Sequence, residues 1–149
     1  VSVTVIESAL VARLVAQLKV PGLVREVYAQ VDYERVTEQA MVTPSVAVIY
    51  SGYYLGDKVG TAGVIREVGF NWLVVVNVRN ARSTATGQGV RDEASPIFDA
   101  VLEALLGFRP SPKHKPLQLE PAPGAALNDA GFGYYPLAFS TLATYRGNP

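Results

Sequence analysis

The chain has 149 residues, enough for one domain, and nearly half of them are apolar, ample for a core. Thirteen basic residues balance thirteen acidic ones, which argues against nonspecific DNA binding, a contact driven by phosphate neutralisation. There is no cysteine and one histidine, so disulfides, thiol chemistry, zinc sites and Ser-His or Cys-His nucleophile pairs have little to stand on.

Thr4 and Glu7 fit a capping box, and Ile6, Leu10, Leu14 and Leu18 follow at i+4 steps. The pattern predicts a helix over residues 5–19, stopped by Pro21 and Gly22. Glu7, Arg13 and Lys19 interrupt it, so it reads as neither signal peptide nor membrane span. Residues 23–31 alternate loosely and predict a first strand; residues 32–41 are charged and read as a short helix or turn. Residues 45–54 predict a central strand, apolar on both faces. Four glycines in residues 52–63 then read as a hairpin loop.

The longest signal spans residues 67–80. Every even position from Val68 to Val78 is apolar, whereas Glu67, Asn71, Asn77 and Arg79 are polar: period two, a strand with one buried face. At about 3.3 Å per residue it reaches roughly 46 Å. A compact chain of this length is only about 38 Å across. Such a strand either bends strongly or carries its end to a neighbour. Residues 82–89 are small, polar and flexible. A second helix runs to about Leu106, either capped by Ser95 or starting nearer Val90 with a bend at Pro96. Gly107 and Pro110 end it. Residues 110–123 hold five prolines and read as a stiff crossing with a short strand near 117–119. Residues 131–145 form the last strand, in which Pro136 implies an edge, a bulge or a break. The expected fold is α+β: a mostly antiparallel or mixed sheet of four to five strands with two main helices packed on one face.

No residues converge on a recognisable chemistry, and no catalytic, cofactor or metal residue is assigned. His114, between Lys113 and Lys115 in the proline-rich crossing, reads as solvated surface. Asp92 and Glu93 point apart on a helix and suit its N-terminus electrostatically. The loop at 52–63 lacks the Gly-Lys-Ser/Thr ending of a phosphate loop and joins two strands. Arg66, Arg79, Arg82 and Arg91 gather in sequence around the long strand and its following loop, as a solvated rim or as contacts for acidic groups of a neighbour. Phe132, Tyr134, Tyr135 and Phe139 lack flanking cations and read as sheet core, not as a base-stacking platform. The expected contact residues are Tyr53, Tyr54, Leu55, Lys58, Arg79, Arg82 and Arg91.

Four stretches together resemble the tail terminator proteins of tailed bacteriophages, especially minor tail proteins of contractile-tailed phages. They are IESALVARL (residues 6–14), TPSVAVIYSGY (43–53), WLVVVNVRNAR (72–82) with the small-residue loop and helix ending LLGFRP (105–110), and GFGYYPLAF (131–139). Each is a packing and turn pattern; the specificity lies in their combination and order. The resemblance implies a structural virion protein without enzymatic activity, assembled in the bacterial cytoplasm. It implies a homohexameric ring on the head-proximal end of the tail tube that stops tube polymerisation and offers a surface to neck or head-completion proteins. In contractile tails the ring also meets the last sheath ring, and DNA passes through the lumen without sequence-specific binding. The alternatives are a head-completion or neck connector subunit and, from another class, a small-ligand α/β domain with a concave polar pocket.

Overall fold

A computed structural model describes residues 3–59, 63–80, 88–128 and 130–149, without the side chains of residues 58 and 59. The i+4 stripe of the first segment folds as α1 (Val3–Leu14), with Ile6, Leu10 and Leu14 fully buried. The helix continues as a π-helical turn, Val15–Lys19, in which Val20 N–H donates to Val15 O at 2.9 Å. Thr4 lies inside α1 and so does not cap it. Pro21 cannot extend the helix, and Gly22 turns the chain at φ +86°. Arg13, an interruption in the apolar pattern, donates from Nε to Ala104 O at 3.0 Å and lies 5.2 Å over the Phe108 ring, tying this helix to the far end of α3 (Gln88–Leu105).

The first strand is shorter than the sequence suggests. Leu23 and Val24 still close the helix end on Leu18 O, and α2 (Gln30–Arg35) begins soon after, leaving β1 as Glu26–Tyr28. The larger difference is in β2 (Ser45–Val59), which runs through most of the segment expected to be a loop. It pairs with β3 (Ile65–Arg79) along its whole length, with register shifts between Tyr50 and Tyr53 and between Leu55 and Lys58. Gly52 sits at the first shift with φ +106°, a conformation that side chains resist and that lets a bulge bend the strand. Of the glycines that read as a loop, Gly52 and Gly56 are bulge and contact positions within β2, Gly63 lies between the strands, and Gly60 lies outside the described residues.

After β3, α3 starts at Gln88 and carries Pro96 inside it, so Asp92 and Glu93 lie beyond its first turn. Short β4 (Gln118–Glu120) and β5 (Ala126–Leu127) precede β6 (Phe132–Arg146). Among the described residues the sheet has six strands in the order β1-β2-β3-β6-β4, with β5 also on β6. β1 and β2 are parallel and the other pairs antiparallel. Pro136 pairs opposite Val75 without breaking the ladder. On its other side β5 stops at Tyr134 and β4 at Ala138, so the missing amide falls where the edge is open.

The even face of β3 packs under the helices, as the alternation predicts. Ile6, Leu10, Leu14 and Leu18 meet Val90, Ile97, Val101 and Leu105 over Val46, Val48, Trp72, Val74, Val76, Leu137 and Phe139. The odd face is partly covered from α2: Tyr33 Oη donates to Asn77 Oδ1 at 2.8 Å, and Asn77 Nδ2 donates to Ser45 Oγ at 3.2 Å.

Candidate assembly interface

Three strands of fifteen residues each, β2, β3 and β6, form one ribbon. From Gly69 to Val78, β3 is largely buried; from Ile65 to Val68 it is half-exposed, so the ribbon reaches past the core. On this outer part of β2, Tyr53 is 66% and Leu55 59% exposed. Both pair opposite the helix-facing row of β3, at Phe70 and Val68. Tyr54 faces the other way and is half-buried; its ring lies over Gly69, where any Cβ would overlap it. Of the expected contact residues, Tyr53 and Leu55 are therefore presented and Tyr54 is packed. Lys58 pairs through its backbone with Arg66, its side chain lying outside the described residues.

The arginines do not form one cluster. Arg66 and Arg79 stand near opposite ends of β3, roughly 43 Å of strand apart. Arg79 lies 5.0 Å over the Phe132 ring, which stacks on Tyr134. Arg91 is exposed on α3 and donates to Gln88 Oε1 at 3.3 Å. Arg82 and most of the loop expected at 82–89 lie outside the described residues.

His114 is not solvated surface. It is 1% exposed, its Nδ1 sits 2.6 Å from Ser111 Oγ, and its ring meets the edge of Phe70. Its Nε2 is buried without a hydrogen-bond partner among the described residues. Desolvation holds its pKa below the ordinary histidine value. The proline-rich crossing thus straps the outer part of β6: His114 bridges Ala143, Lys115 N–H donates to Leu142 O at 2.8 Å, and Thr141 Oγ1 donates to Lys115 O at 2.7 Å. Lys115 Nζ also pairs with Glu67 at 3.0 Å, and this ammonium holds the Glu67 carboxyl below its usual range.

A polar hub at the other end of the sheet was not legible from spacing. Both Glu38 oxygens accept from Asn128 Nδ2 at 2.8 Å, and one also accepts from Tyr134 Oη. Burial, then the Glu38 carboxylate, push the Tyr134 phenol far above its ordinary value. Residues 38, 128 and 134 are remote in sequence and share only the fold.

The clefts offer little chemistry. One of about 360 Å³ lies between α3 and β6, and its charged groups Arg91 and Asp92 are both hydrogen-bonded to Gln88. Among the described residues no cluster of His, Asp and Glu could hold a metal ion, and no helix is long and apolar enough to cross a membrane. What the molecule presents is strand edge and exposed aromatic and aliphatic side chains.

Comparison with protein families matches residues 5–149 to the phage tail terminator proteins. The chain belongs to that family. The match takes in all six strands and nearly all of α1, so the fold described here is this chain's version of a tail terminator and the protein is a structural component of a phage tail. No curated protein matches the chain.

Proposed function

We propose that this tail terminator forms a six-fold ring at the head-proximal end of the tail tube, where it ends tube polymerisation and offers the surface that joins the neck or head. Its partners in this reading are other copies of itself, the tube protein, a neck or head-completion protein and, in a contractile tail, the sheath; DNA passes through the lumen. The 149 residues act as one domain. The observation that carries the reading is the ribbon: three fifteen-residue strands extend past the core, with Tyr53 and Leu55 exposed on β2. A ring of identical subunits needs two different complementary patches, and a ribbon reaching beyond its own core supplies one. Tyr53 and Leu55 are the contacts at that end; Arg79 and Arg91 belong to the opposite end and are proposed to face a different partner, as is Arg82, which lies outside the described residues.

Electron microscopy of particles made without the protein tests the assignment. A terminator's loss gives overlong tubes. Tails of normal length that fail to join heads would assign the protein to the neck.

A further inference from the structure

β4 and β5 are two pieces of one edge. Glu120 pairs with Ala138 and Ala126 with Tyr134, so residues 121–125 stand opposite only residues 135–137 of β6. Five residues cannot stay in register with three. The chain there, Pro-Ala-Pro-Gly-Ala, leaves the ladder as an arch with every residue exposed. Where the ladder is interrupted, a cleft of about 210 Å³ opens between α3 and the sheet, lined by Phe98, Leu102, Leu119, Pro136 and Leu137 and roofed on one side by Ala122 of the arch. Phe98 also lines the cleft of about 360 Å³, together with Tyr135. The two clefts are thus one apolar groove with Phe98 between them.

The groove has a counterpart on the same molecule. Among the described residues, Tyr53 and Leu55 are the one pair of exposed large apolar side chains two apart on a strand row. Tyr135 and Leu137, one in each cleft, are also two apart on a strand row. Both spacings are therefore about 7 Å. The chemistry matches in order. The cleft at Leu137 is walled by apolar side chains and suits Leu55. The cleft at Tyr135 carries Asp92 on its rim, and a carboxylate that already accepts from Gln88 Nε2 at 2.8 Å can accept a phenol as well. The pair and the groove lie on opposite sides of β3, one on β2 and one beside β6 and β4.

We infer that Tyr53 and Leu55 of one copy seat in the groove on either side of Phe98 in the next copy, Tyr53 beside Tyr135 and Leu55 beside Leu137. This rests on the ring reading above and supplies its second patch. Knob on one flank and groove on the other make the contact head-to-tail, the kind that builds a ring from identical subunits. The neighbour that Arg91 faces is then the one on the groove side, distinct from the neighbour that receives Tyr53. Tyr53 pairs with Phe70 and Phe70 with Thr141, six residues along β6 from Tyr135, so the contact steps about 20 Å along the strands. It closes when the strands are inclined to the ring axis; strands along the axis would make it climb as a filament.

The absence of native cysteine makes a cross-link test clean. Leu55 and Leu119 are 59% and 49% exposed, so cysteine at either position leaves the core intact. Within one chain they are three strand spacings apart, about 14 Å, beyond the reach of a disulfide. Particles carrying the Leu55→Cys, Leu119→Cys double variant, after oxidation, should give a ladder of covalent multimers on a denaturing gel. Particles assembled from a mixture of the two single variants should give dimers and nothing larger, and either single variant alone should give monomer. Monomer alone from double-variant particles whose micrographs show a ring would overturn the groove contact and leave the ring standing. Dimers from Leu55→Cys alone would replace it with a tip-to-tip contact. Wild-type particles without a ring would remove the ring reading, and this inference with it. A filling variant covers a double variant that fails to enter particles. Ala122→Trp puts bulk at the mouth of the smaller cleft from an exposed position; it should keep the denaturation midpoint and lower ring occupancy about tenfold or more. Full occupancy with the groove filled refutes the docking.

Discussion

The three long strands behave differently at their two ends. Under the helices, Val46, Val48, Trp72, Val74 and Val76 are fully buried. Farther along the same strands, and in the same row, Tyr53 and Leu55 are exposed and Val68 is half-exposed. The period-two pattern runs through both parts of β3 without a change. What differs is the cover: α1 and α3 lie over one part, and over the other there is mainly the strap that carries His114 against Phe70. Alternation reports which face of a strand is apolar and is silent on what covers it.

The largest effect should come from the covered part. Trp72 is fully buried and its ring centroid lies 5.4 Å from that of Tyr50. Trp72→Ala removes this packing and leaves a cavity, at a cost of about 3–5 kcal/mol, read as a lower denaturation midpoint. The stricter comparison uses one substitution at two heights of one strand face. Val74→Ala should cost about 2 kcal/mol, because that side chain is wholly removed from water. Val68→Ala should cost less than about 1 kcal/mol, because half-burial leaves less to lose. Equal costs would mean that the two parts are covered alike in the isolated protein.

The helices and the helix-facing row of β3 were legible because local periodicity and core burial agree in them. The length of β2 was not. Gly52 and Gly56 gave the segment a loop's composition, yet Gly52 turns a bulge, and a Cβ on Gly56 would come within 2.8 Å of Glu67 Cβ. A sign was present: a strand of fourteen residues needs a partner of similar length, and only the residues before it could provide one by a hairpin. His114 was misread because its neighbours in sequence are lysines and prolines, whereas its neighbours in space are Phe70 and Ala143. The arginines seemed to gather for a related reason. Residues close in sequence end far apart when an extended strand lies between them. The pairing of Glu38 with Asn128 and Tyr134 carries no local pattern at all.

His114 gives a smaller effect, confined to a pH window. Burial lowers its folded pKa, while in the unfolded chain it titrates near an ordinary value of about 6.5. As pH falls through that value, the unfolded chain takes up a proton that the folded one resists. Stability is therefore full above about pH 6.5, declines below it, and levels off once pH passes the folded pKa. The carboxyls of Glu26 and Glu67, also lowered, contribute with the same sign in a lower range of pH: their stabilisation is present above the unfolded carboxylate value and is lost at more acidic pH. As the only histidine, His114 should dominate the interval from pH 7 to pH 5. Denaturant titrations at those two values should show a loss for the wild type and a smaller one for His114→Gln; equal losses would assign the slope to another group.

The smallest effect on folding should come with the largest effect on assembly. Tyr53 and Leu55 rest mostly in solvent, so replacing both with serine removes little packing and should change stability by less than about 0.5 kcal/mol. If the outer ribbon is completed by a neighbour, the same variant should keep its denaturation midpoint and lose its place on tails. If its hydrophobes are only surface residues of a solitary molecule, occupancy on tails will match the wild type. A fall in both quantities would have a third meaning, that Tyr53 and Leu55 hold the hairpin together within one chain. Measuring the midpoint and the occupancy on the same preparation separates the three, because burial against a neighbour costs nothing until the neighbour is present.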